Sequence, residues 1–490
     1  MQNLAMLTDL YQLTMAYGYW KLGGAEGLAG REAVFHLSFR NNPFGGGFAV
    51  AAGLASVIEY VEGFGFTAED AAYLRELKGN DGRALFEEAF LEYLEGLRLG
   101  CDVDGAPEGT VVFGHEPLVR VKGPLLHCQL LETALLTLVN FETLVATKAA
   151  RVVLAAKGEP VLEFGLRRAQ GVDGGLTASR AAYVGGCAAT SNVMAGQRYG
   201  IPVKGTHAHS WVMCFGEELE AFEAWAEVMP NNCTLLVDTY NTLEGVKHAA
   251  AVFSRLKARG HRPGGIRLDS GDLAYLSIEA RKILDEAGLG EVPILATNDL
   301  DETIIGSLKG QGAAIGMWGV GTKLVTAYDQ PALGGVYKLS ALRNGQGKWE
   351  HKIKLSEQKA KTSIPGILQV RRFYEPGGGG GRLIADMIYD ELSGVMEGEE
   401  GSEIVDIVDV TRRKGIGAGT AYEELLAPVF RAGKRVYESP GLERIRERTL
   451  GQLGRLHPGI LRGIHPHEYP VGLERGLNAL RNGLILEMRG

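Results

Sequence analysis

Between residues 130 and 335 the chain alternates short apolar segments with helical ones, and this alternation restricts the fold more than any other feature. Repeated strand–helix units with polar residues at the carboxyl ends of the strands indicate a parallel α/β architecture. A barrel and a doubly wound sheet give similar local patterns, so the pattern alone does not separate them. The strand-like segments are residues 161–165, 234–240, 265–273, 293–299 and 313–321.

The regions on either side have mixed or β character. Residues 1–130 combine helical and strand-like segments, which is typical of an α+β region. Residues 336–490 contain β-hairpin patterns, including RNGQG between two strand-like segments, and then a helical tail. We therefore expect a parallel α/β region with the functional site at 131–335, in a barrel or a doubly wound sheet, and C-terminal hairpins and helices that pack back on the N-terminal region. The glycine run at 377–381 predicts a loop tip, and the sequence leaves its role open.

Composition and charge exclude several classes of function. Of 490 residues, 51 are Lys or Arg and 59 are Asp or Glu, and the net charge of −8 disfavours nucleic acid as the main partner. No uncharged apolar run reaches the roughly 18 residues that cross a membrane, and the N-terminal sequence lacks an export-signal pattern. The five cysteines form no C-x-x-C pair, which disfavours a zinc site or a disulfide framework. These features predict a cytoplasmic protein with no membrane partner.

Carboxylates follow two neighbouring strand-like segments. Asp238 ends LLVDTYNT, and Asp269 and Asp272 follow the apolar part of GIRLDSGDL. Carboxylates at adjacent barrel strand ends can bind Mg²⁺ and hold a diphosphate or ribose hydroxyls. The alternative for Asp272 is a helix N-cap, since a helical segment follows it directly. Arg267 lies two residues before Asp269, so both side chains leave the same face of an extended strand.

A glycine-rich segment, AIGMWGVGTKL, lies between the last strand-like segment and a helical one. It holds Gly316, Gly319 and Gly321, followed by Thr322. Backbone N–H groups of such a loop can bind a 5′-phosphate, and the Thr322 hydroxyl adds a donor. Tight turns use glycine just as readily, but the last strands of a barrel are a frequent place for phosphate.

The stretch 163–213 combines residue types that no single core element needs. Arg167 and Arg168 are suited to binding phosphate or carboxylate. Farther along, His207 and His209 face the same side if their segment is extended, which makes a metal pair one alternative, although no third ligand is evident. The other alternative is nucleophilic or acid–base chemistry by a histidine beside small hydroxyl residues.

This stretch, and nearly the whole chain, resembles the nicotinate phosphoribosyltransferases of the type II phosphoribosyltransferase family. The resemblance implies an irregular, incomplete parallel α/β barrel, with an α+β domain formed from the N-terminal and C-terminal segments. It implies that nicotinate and 5-phosphoribosyl 1-diphosphate give nicotinate mononucleotide and diphosphate, the first step of NAD salvage from nicotinate. ATP is the implied co-substrate, Mg²⁺ the implied metal, and a homodimer with shared active sites the implied assembly.

The resemblance also implies roles for individual residues. His209 matches the histidine that ATP phosphorylates, and Asp238 and Asp269 match the metal-binding carboxylates. Tyr11 and Arg40 are implied to act across the dimer interface. The implied nicotinate contacts are Tyr11, Phe164, Arg167, Asn192, Thr206 and Arg267. The implied phosphoribosyl diphosphate contacts are Arg40, Asp238, Asp269, Gly319, Gly321 and Thr322.

Asn192 bears on the choice between nicotinate and nicotinamide. In the similar nicotinamide phosphoribosyltransferases an aspartate occupies the aligned position. An ionised carboxylate repels the carboxylate of nicotinate, whereas an asparagine can donate to it, so Asn192 favours the acid as substrate. Nicotinamide phosphoribosyltransferase is the nearest alternative, and quinolinate phosphoribosyltransferase is disfavoured because its substrate requires more clustered cations. A non-catalytic barrel that binds nucleotide or phosphate is the alternative from another class, and the combination of His209, Asp238, Asp269 and Arg267 disfavours it.

Overall fold

The structure is a computed structural model, and it describes residues 4–23, 27–357, 362–375 and 380–489. The chain divides into two compact units. The first comprises residues 1–144, 332–441 and 448–490, and the second comprises residues 145–331 and 442–447.

The helices, in chain order, are α1 (Leu10–Lys21), α2 (Leu54–Glu62), α3 (Ala68–Glu76), α4 (Glu88–Gly96), α5 (Leu125–Leu130), α6 (Glu132–Ala156), α7 (Gly171–Val184), α8 (Val193–Tyr199), α9 (His209–Met213), α10 (Glu218–Val228), α11 (Thr242–Ala258), α12 (Leu273–Glu286), α13 (Glu302–Gly310), α14 (Thr322–Val325), α15 (Leu442–Leu453) and α16 (Arg475–Arg489). Short 3-10 turns lie at Pro43–Gly45 and Leu166–Arg168. Among the described helices, none is long and apolar enough to cross a membrane.

The strands, in chain order, are β1 (Glu32–Ser38), β2 (Ala49–Val50), β3 (Asp102–Gly105), β4 (Val111–Val112), β5 (Pro117–Pro124), β6 (Val161–Glu163), β7 (Ala189–Thr190), β8 (Thr234–Leu236), β9 (Gly265–Leu268), β10 (Ile294–Ala296), β11 (Met317–Val320), β12 (Val336–Arg343), β13 (Trp349–His351), β14 (Leu368–Tyr374), β15 (Leu383–Asp390), β16 (Ser402–Asp406), β17 (Arg413–Ile416), β18 (Tyr422–Glu424), β19 (Ala427–Arg431), β20 (Lys434–Arg435) and β21 (Val471–Glu474).

The second unit is built on an open parallel sheet of six strands in the order β7-β6-β11-β10-β9-β8. Every neighbouring pair in this sheet is parallel. The sheet stays open because β7 and β8 pair on one side only, two strands short of the eight that close a regular barrel. The predicted incomplete parallel α/β barrel is therefore confirmed. Because all six strands run the same way, their carboxyl ends form one edge.

Helices α11, α12 and α13 connect successive strands from β8 to β11, and each begins with a capped first turn. The side chains of Asn241, Asp272 and Asp301 accept hydrogen bonds from backbone N–H groups three residues farther on. The Asp272 carboxylate accepts from the Tyr275 N–H at 3.1 Å, so the N-cap alternative for this residue is the one that the structure supports.

The first unit contains two larger sheets. The seven-stranded sheet has the order β13-β12-β1-β5-β3-β19-β20, and its paired strands are antiparallel. The hairpin predicted at RNGQG is present, because β12 and β13 pair antiparallel around a turn closed by Asn344. The six-stranded sheet has the order β17-β16-β21-β15-β14-β18. The loop predicted at 377–381 joins β14 to β15, and its residues 377–379 lie outside the described part of the chain.

A buried ion pair lies at the centre of the six-stranded sheet. Arg372 of β14 and Asp386 of β15 are fully buried, and Arg372 Nη2 lies 2.5 Å from Asp386 Oδ2. The Tyr469 hydroxyl donates to the same carboxylate at 2.9 Å. The pair thus has the further hydrogen bond that a buried charge requires, and it fixes the register of the two strands.

Candidate active site

A cavity of about 210 Å³ opens at the carboxyl edge of the parallel sheet. Its walls come from the last residues of β9 and β11 and from the segments that follow β6, β9, β10 and β11, as expected for a barrel site. The lining residues are Phe164, Arg167, Arg168, Arg267, Asp269, Thr297, Asn298, Asp299, Gly319, Gly321 and Thr322. Seven of the residues predicted to bind substrates are therefore brought together here, although their individual roles stay predictions.

Arg267 and Asp269 form the charged centre of the cavity. Arg267 Nη2 lies 2.8 Å from Asp269 Oδ1, which agrees with the expectation that both side chains leave the same strand face. Burial raises the pKa of the Asp269 carboxyl, but the Thr297 hydrogen bond and the Arg267 charge outweigh that effect, so this pKa lies below its ordinary value. The carboxylate is therefore ionised at neutral pH.

Asp238 touches this centre from the end of β8. Its Oδ2 accepts from the Asp269 N–H at 2.8 Å and from the Ser270 hydroxyl at 2.7 Å. Its other oxygen, Oδ1, is buried and has no hydrogen-bond partner within the described part of the chain. A buried carboxylate oxygen without a partner is suited to a cation, since leaving it unpaired costs free energy.

Asp238 and Asp269 would supply only part of the ligands of a Mg²⁺ ion, and the rest would come from substrate and water. Within the described ranges, no group of three or more His, Cys, Asp or Glu side chains is arranged to hold a metal ion. Mg²⁺ commonly uses one or two carboxylates and takes its remaining ligands from water and substrate phosphates. Asp238 and Asp269 match that smaller set.

The two histidines of the Thr-His-Ala-His-Ser run have different environments. His207 is buried, and its Nε2 accepts from the Leu236 N–H at 3.3 Å, so it stabilises the end of β8. Burial lowers the pKa of His207 and keeps its ring neutral. His209 begins α9 with its Nδ1 at 3.1 Å from the Thr239 hydroxyl and its Nε2 at 3.7 Å from Asp269 Oδ2. The alternative of a metal-binding histidine pair finds no support in these contacts.

The structure places Gly316 before β11, Gly319 within it and Gly321 after it, so these glycines do not all follow the strand as the sequence predicted. A Cβ on Gly319 would lie 2.6 Å from Thr297 Cγ2 and 2.8 Å from Phe164 Cδ2, so a side chain there displaces two residues of the cavity wall. A Cβ on Gly316 would have no heavy atom within 4 Å. The following helix, α14, has only four residues, so the loop N–H groups, rather than a long helix dipole, are the donors available to a phosphate.

Residues 297–299 are cavity residues that the sequence argument did not single out. Thr297 receives a hydrogen bond from Arg267 and donates one to Asp269. Asn298 has a φ of 91°, a left-handed conformation that residues other than glycine rarely adopt and that often marks functional sites. The sequence signal that could have identified these three residues is their position at the carboxyl end of the predicted strand that became β10.

Three predicted nicotinate contacts do not line the cavity: Tyr11 of the first unit, and Asn192 and Thr206 of the second. Asn192 is buried and caps α8, accepting from the Ala195 N–H at 3.2 Å. Its amide nitrogen donates to the Ser179 hydroxyl at 3.1 Å and to the Gly175 carbonyl at 3.4 Å. Thr206 donates to the Thr234 carbonyl at 2.6 Å. The hydrogen-bonding groups of Asn192 are thus occupied within the second unit, and its role in discrimination stays a prediction.

Tyr11 and Arg40 belong to the first unit. Tyr11 lies on α1 with 48% of its surface exposed. Arg40 lines a separate, smaller cavity of about 50 Å³ that also contains Lys338 and His115. Burial and the positive charges of Arg481 and Arg40 lower the pKa of His115 to about 4, and burial is the main cause of a lowered Lys338 pKa. His115 is therefore neutral near pH 7, and Arg40 and Lys338 are the cationic groups with which this cavity suits an anion.

An open parallel barrel whose strand ends gather arginines, carboxylates and a glycine loop is expected of an enzyme that holds phosphorylated ligands. Residues 6–140 match the N-terminal domain model of nicotinate phosphoribosyltransferase, and residues 368–481 match its C-terminal domain model. The chain therefore belongs to the nicotinate phosphoribosyltransferase family, and the resemblance seen in its sequence is confirmed.

Individual relatives agree with this assignment. The chain is 44% identical over 476 residues to nicotinate phosphoribosyltransferase of Bacillus subtilis, covering 96% of this chain and 93% of the relative. It is 36% identical over 535 residues to nicotinate phosphoribosyltransferase of Homo sapiens, covering 98% and 96%. The crystal structure of human nicotinic acid phosphoribosyltransferase superposes with a TM-score of 0.81 at 34% identity, covering 97% of this chain and 99% of that one. A nicotinate-nucleotide pyrophosphorylase from Pyrococcus furiosus, 21% identical with a TM-score of 0.68 and covering 92% and 95%, shares the fold.

The packing around the glycine loop leads to a first prediction. Gly319→Ala is expected to lower kcat/KM roughly tenfold, because overpacking of about 1–3 kcal/mol falls on Thr297 and Phe164 at the cavity wall. Gly316→Ala is the matched control and should stay within about twofold of the parent, since its Cβ meets open space. Steady-state kinetics with thermal unfolding of both variants measures this. Equal losses for the two substitutions would contradict the packing argument.

The contacts of Asn192 lead to a second prediction. Asn192→Asp removes two donated hydrogen bonds and places a charge beside Ser179, which also donates to the buried Glu163 at 2.8 Å. We expect a loss of about 1–3 kcal/mol in the free energy of unfolding, with nicotinate and nicotinamide use falling together.

Asn241→Asp provides the control for that substitution, because Asn241 is an exposed N-cap on α11 and an aspartate caps equally well. Urea unfolding and kinetics on both pyridines test the pair. A shift of preference from nicotinate toward nicotinamide at unchanged stability would restore the discriminating role predicted for Asn192 from the sequence.

Proposed function

We propose that this enzyme transfers the phosphoribosyl group of 5-phosphoribosyl 1-diphosphate to nicotinate, coupled to ATP through His209. The transferase part follows from membership of the family. One observation supports the assignment of the site: a single cavity is lined by the Arg267–Asp269 pair, by Arg167 and Arg168, and by the Gly319–Thr322 segment.

The reaction requires little proton transfer from the protein. The pyridine nitrogen of nicotinate carries its own lone pair and forms the bond to C1 of the ribose. The bond from C1 to the diphosphate oxygen breaks, and the diphosphate leaves with that electron pair. The barrier lies in the charge that develops on the sugar and the leaving group, so oriented charges are the main source of rate enhancement.

Mg²⁺ would be held by Asp238 and Asp269 and would supply charge neutralisation of the diphosphate when bound. The orphaned Oδ1 of Asp238 is the feature that supports this. Asp269 has fewer oxygen lone pairs left for the metal, because its Oδ1 already accepts from Arg267 and Thr297. The loop amides at Gly319 and Gly321, with the Thr322 hydroxyl, would hold the 5′-phosphate.

Nicotinate would be held by its carboxylate and by its ring. A guanidinium binds a carboxylate through two parallel N–H donors. Of the three arginines that line the cavity, Arg267 is the most buried, with only 15% of its side chain exposed. Phe164 offers an aromatic surface on the same wall, and Arg167 adds a second cation at the rim. Preference for the acid over the amide would then come from these arginines.

ATP would act by phosphorylating His209. With Nδ1 hydrogen-bonded to the Thr239 hydroxyl, the Nε2 lone pair is directed to the side of Asp269. Nε2 would form a bond to the γ-phosphorus while the bond from that phosphorus to the bridging oxygen breaks, releasing ADP. Hydrolysis of the phosphohistidine by water then returns the imidazole and inorganic phosphate.

Tyr11 and Arg40 support a shared site in a homodimer. Neither is among the residues that line the cavity in the second unit of the chain. Tyr11 nevertheless exposes an aromatic ring, and Arg40 lies in a cation-rich cavity of its own. A second copy of the chain would bring these groups to the nicotinate and the diphosphate.

The proposed coupling is tested by labelling and by turnover. After incubation with ATP, peptide mass spectrometry should find one phosphoryl group on His209 and none on His261, which is partly exposed and hydrogen-bonded to Asn231. Nicotinate should be converted faster with ATP than without it, and nicotinamide poorly in both cases. His209→Gln should lose the label and the ATP effect together. Labelling elsewhere, or an ATP effect that survives this substitution, would refute the role of His209.

The shared site is tested by complementation. Arg40→Ala and His209→Ala chains should each show almost no ATP-stimulated turnover alone. When they are co-expressed, random pairing should restore roughly a quarter of the parental sites, because each mixed dimer has one intact site. Arg40→Ala co-expressed with itself is the control. Absence of recovery in a preparation shown to contain mixed dimers would rule out a site built from two chains.

A further inference from the structure

We infer that Thr297 is a positioning residue whose hydroxyl fixes the Arg267 guanidinium so that its outer edge receives the carboxylate of nicotinate. The inference rests on the proposed role of Arg267 as the carboxylate-binding residue. It adds a residue that the sequence argument did not name, and it assigns acid recognition to a pair of side chains rather than to one.

The donors and acceptors around Thr297 determine the direction of each hydrogen bond that its hydroxyl makes. Thr297 is 4% exposed and follows the last residue of β10. Arg267 Nε lies 2.8 Å from the Thr297 hydroxyl, and since a guanidinium only donates, the hydroxyl accepts this bond. The hydroxyl proton then goes to Asp269 Oδ1, because an ionised carboxylate only accepts. The Leu268 carbonyl, at 3.4 Å, is a poorer acceptor.

These bonds determine which edge of the guanidinium is free. Thr297 takes the Nε hydrogen, and Asp269 takes one Nη2 hydrogen at 2.8 Å. Because the Thr297 hydroxyl and Asp269 Oδ1 contact each other, both lie along the Nε/Nη2 edge. The Nη1/Nη2 edge keeps one N–H on each nitrogen for a bidentate bond with a carboxylate. An amide presents only one acceptor oxygen and cannot complete this pair.

The methyl group of Thr297 has a separate contact. Thr297 Cγ2 lies against Gly319, where a Cβ would approach to 2.6 Å. The hydroxyl of Thr297 therefore contacts Arg267 and Asp269, and its methyl group lies against Gly319. Substitutions can remove one of these groups and keep the other. Valine keeps the shape and the methyl contact but loses the hydroxyl, whereas serine keeps the hydroxyl and loses the methyl.

The test compares Thr297→Val with Thr297→Ser in the full-length enzyme. Thr297→Val should raise the KM for nicotinate roughly tenfold, since a hydrogen bond to a charged group is lost. The KM for phosphoribosyl diphosphate should change by less than about threefold. Thr297→Ser should stay within about threefold of the parent for both substrates. Thermal unfolding of each variant reports any general loss of stability.

A double-substitution cycle shows whether Thr297 acts through Arg267. Arg267→Lys keeps a cation, so that turnover stays measurable, but it removes the planar group that Thr297 orients. If Thr297→Val raises the KM for nicotinate in the parent and adds less than about twofold in the Arg267→Lys background, the two residues act as one unit.

The outcomes separate the inference from the proposal beneath it. Unchanged nicotinate KM in Arg267→Lys and in Thr297→Val would show that Arg267 does not bind the carboxylate, so the proposed site assignment fails. A raised KM in Arg267→Lys with an unchanged KM in Thr297→Val would overturn only the role of Thr297. Equal rises in both substrate KM values for Thr297→Val, with lowered thermal stability, would mean a general packing role and would also overturn it.

Discussion

The carboxylate of Asp269 is the group on which the geometry of the cavity depends. It accepts from Arg267 of its own strand and from Thr297 of the next strand, and its backbone N–H donates to Asp238 of the preceding one. Its second oxygen lies 3.7 Å from His209 Nε2. Through its side chain and its backbone N–H, Asp269 therefore connects three strand ends and the start of α9. Since these partners belong to different elements, a small displacement of Asp269 would move the Arg267 guanidinium and change the contact with His209 at once.

Backbone contacts reinforce this arrangement. The Val237 N–H donates to the Arg267 carbonyl at 3.2 Å, and the Thr297 N–H donates to the Leu268 carbonyl at 2.9 Å. These bonds continue the parallel ladder past the last residue of each strand, so the functional side chains stand on sheet-like backbone. Precise catalytic geometry is easier to maintain on such backbone than on free loops.

Much of this could be predicted from the sequence, because the rule that places functional groups at parallel strand ends is local. It predicted the parallel α/β architecture and placed Arg267, Asp269 and Gly319 at the cavity, whereas the open barrel was implied by the resemblance to the family. It did not show which of several polar residues after one strand points inward, so Thr297 was missed. Asn192 shows a second limit, because its partners Ser179 and Gly175 lie on a different helix and cannot be read from the residue itself.

The aspartates after β9 and β10 show why residue type alone is insufficient. Asp272 and Asp301 each accept an N–H at the first turn of a helix, whereas Asp269 lies too early in its loop to cap α12. A capping carboxylate has part of its acceptor capacity used by the helix, and Asp269 directs its capacity to side chains of the cavity. Asp301 adds a bond to Lys323 at 2.6 Å, which joins the segment after β10 to the segment after β11. The capping carboxylates thus hold the loops in place. Asp269 caps no helix, and its oxygens contact side chains of the cavity instead.

Selectivity for an acid follows more naturally from an oriented arginine than from a buried asparagine. Asn192 already uses its amide nitrogen and oxygen inside the protein, and turning either toward a ligand would leave a buried polar group unpaired at about 1–3 kcal/mol. Arg267 carries no such cost, because its inner edge is satisfied by Thr297 and Asp269 while its outer edge keeps two parallel donors. A carboxylate fills both donors and an amide only one. If Arg267 binds the carboxylate as proposed, the discrimination would be set before the substrate arrives, by the hydrogen bonds that hold the guanidinium in place.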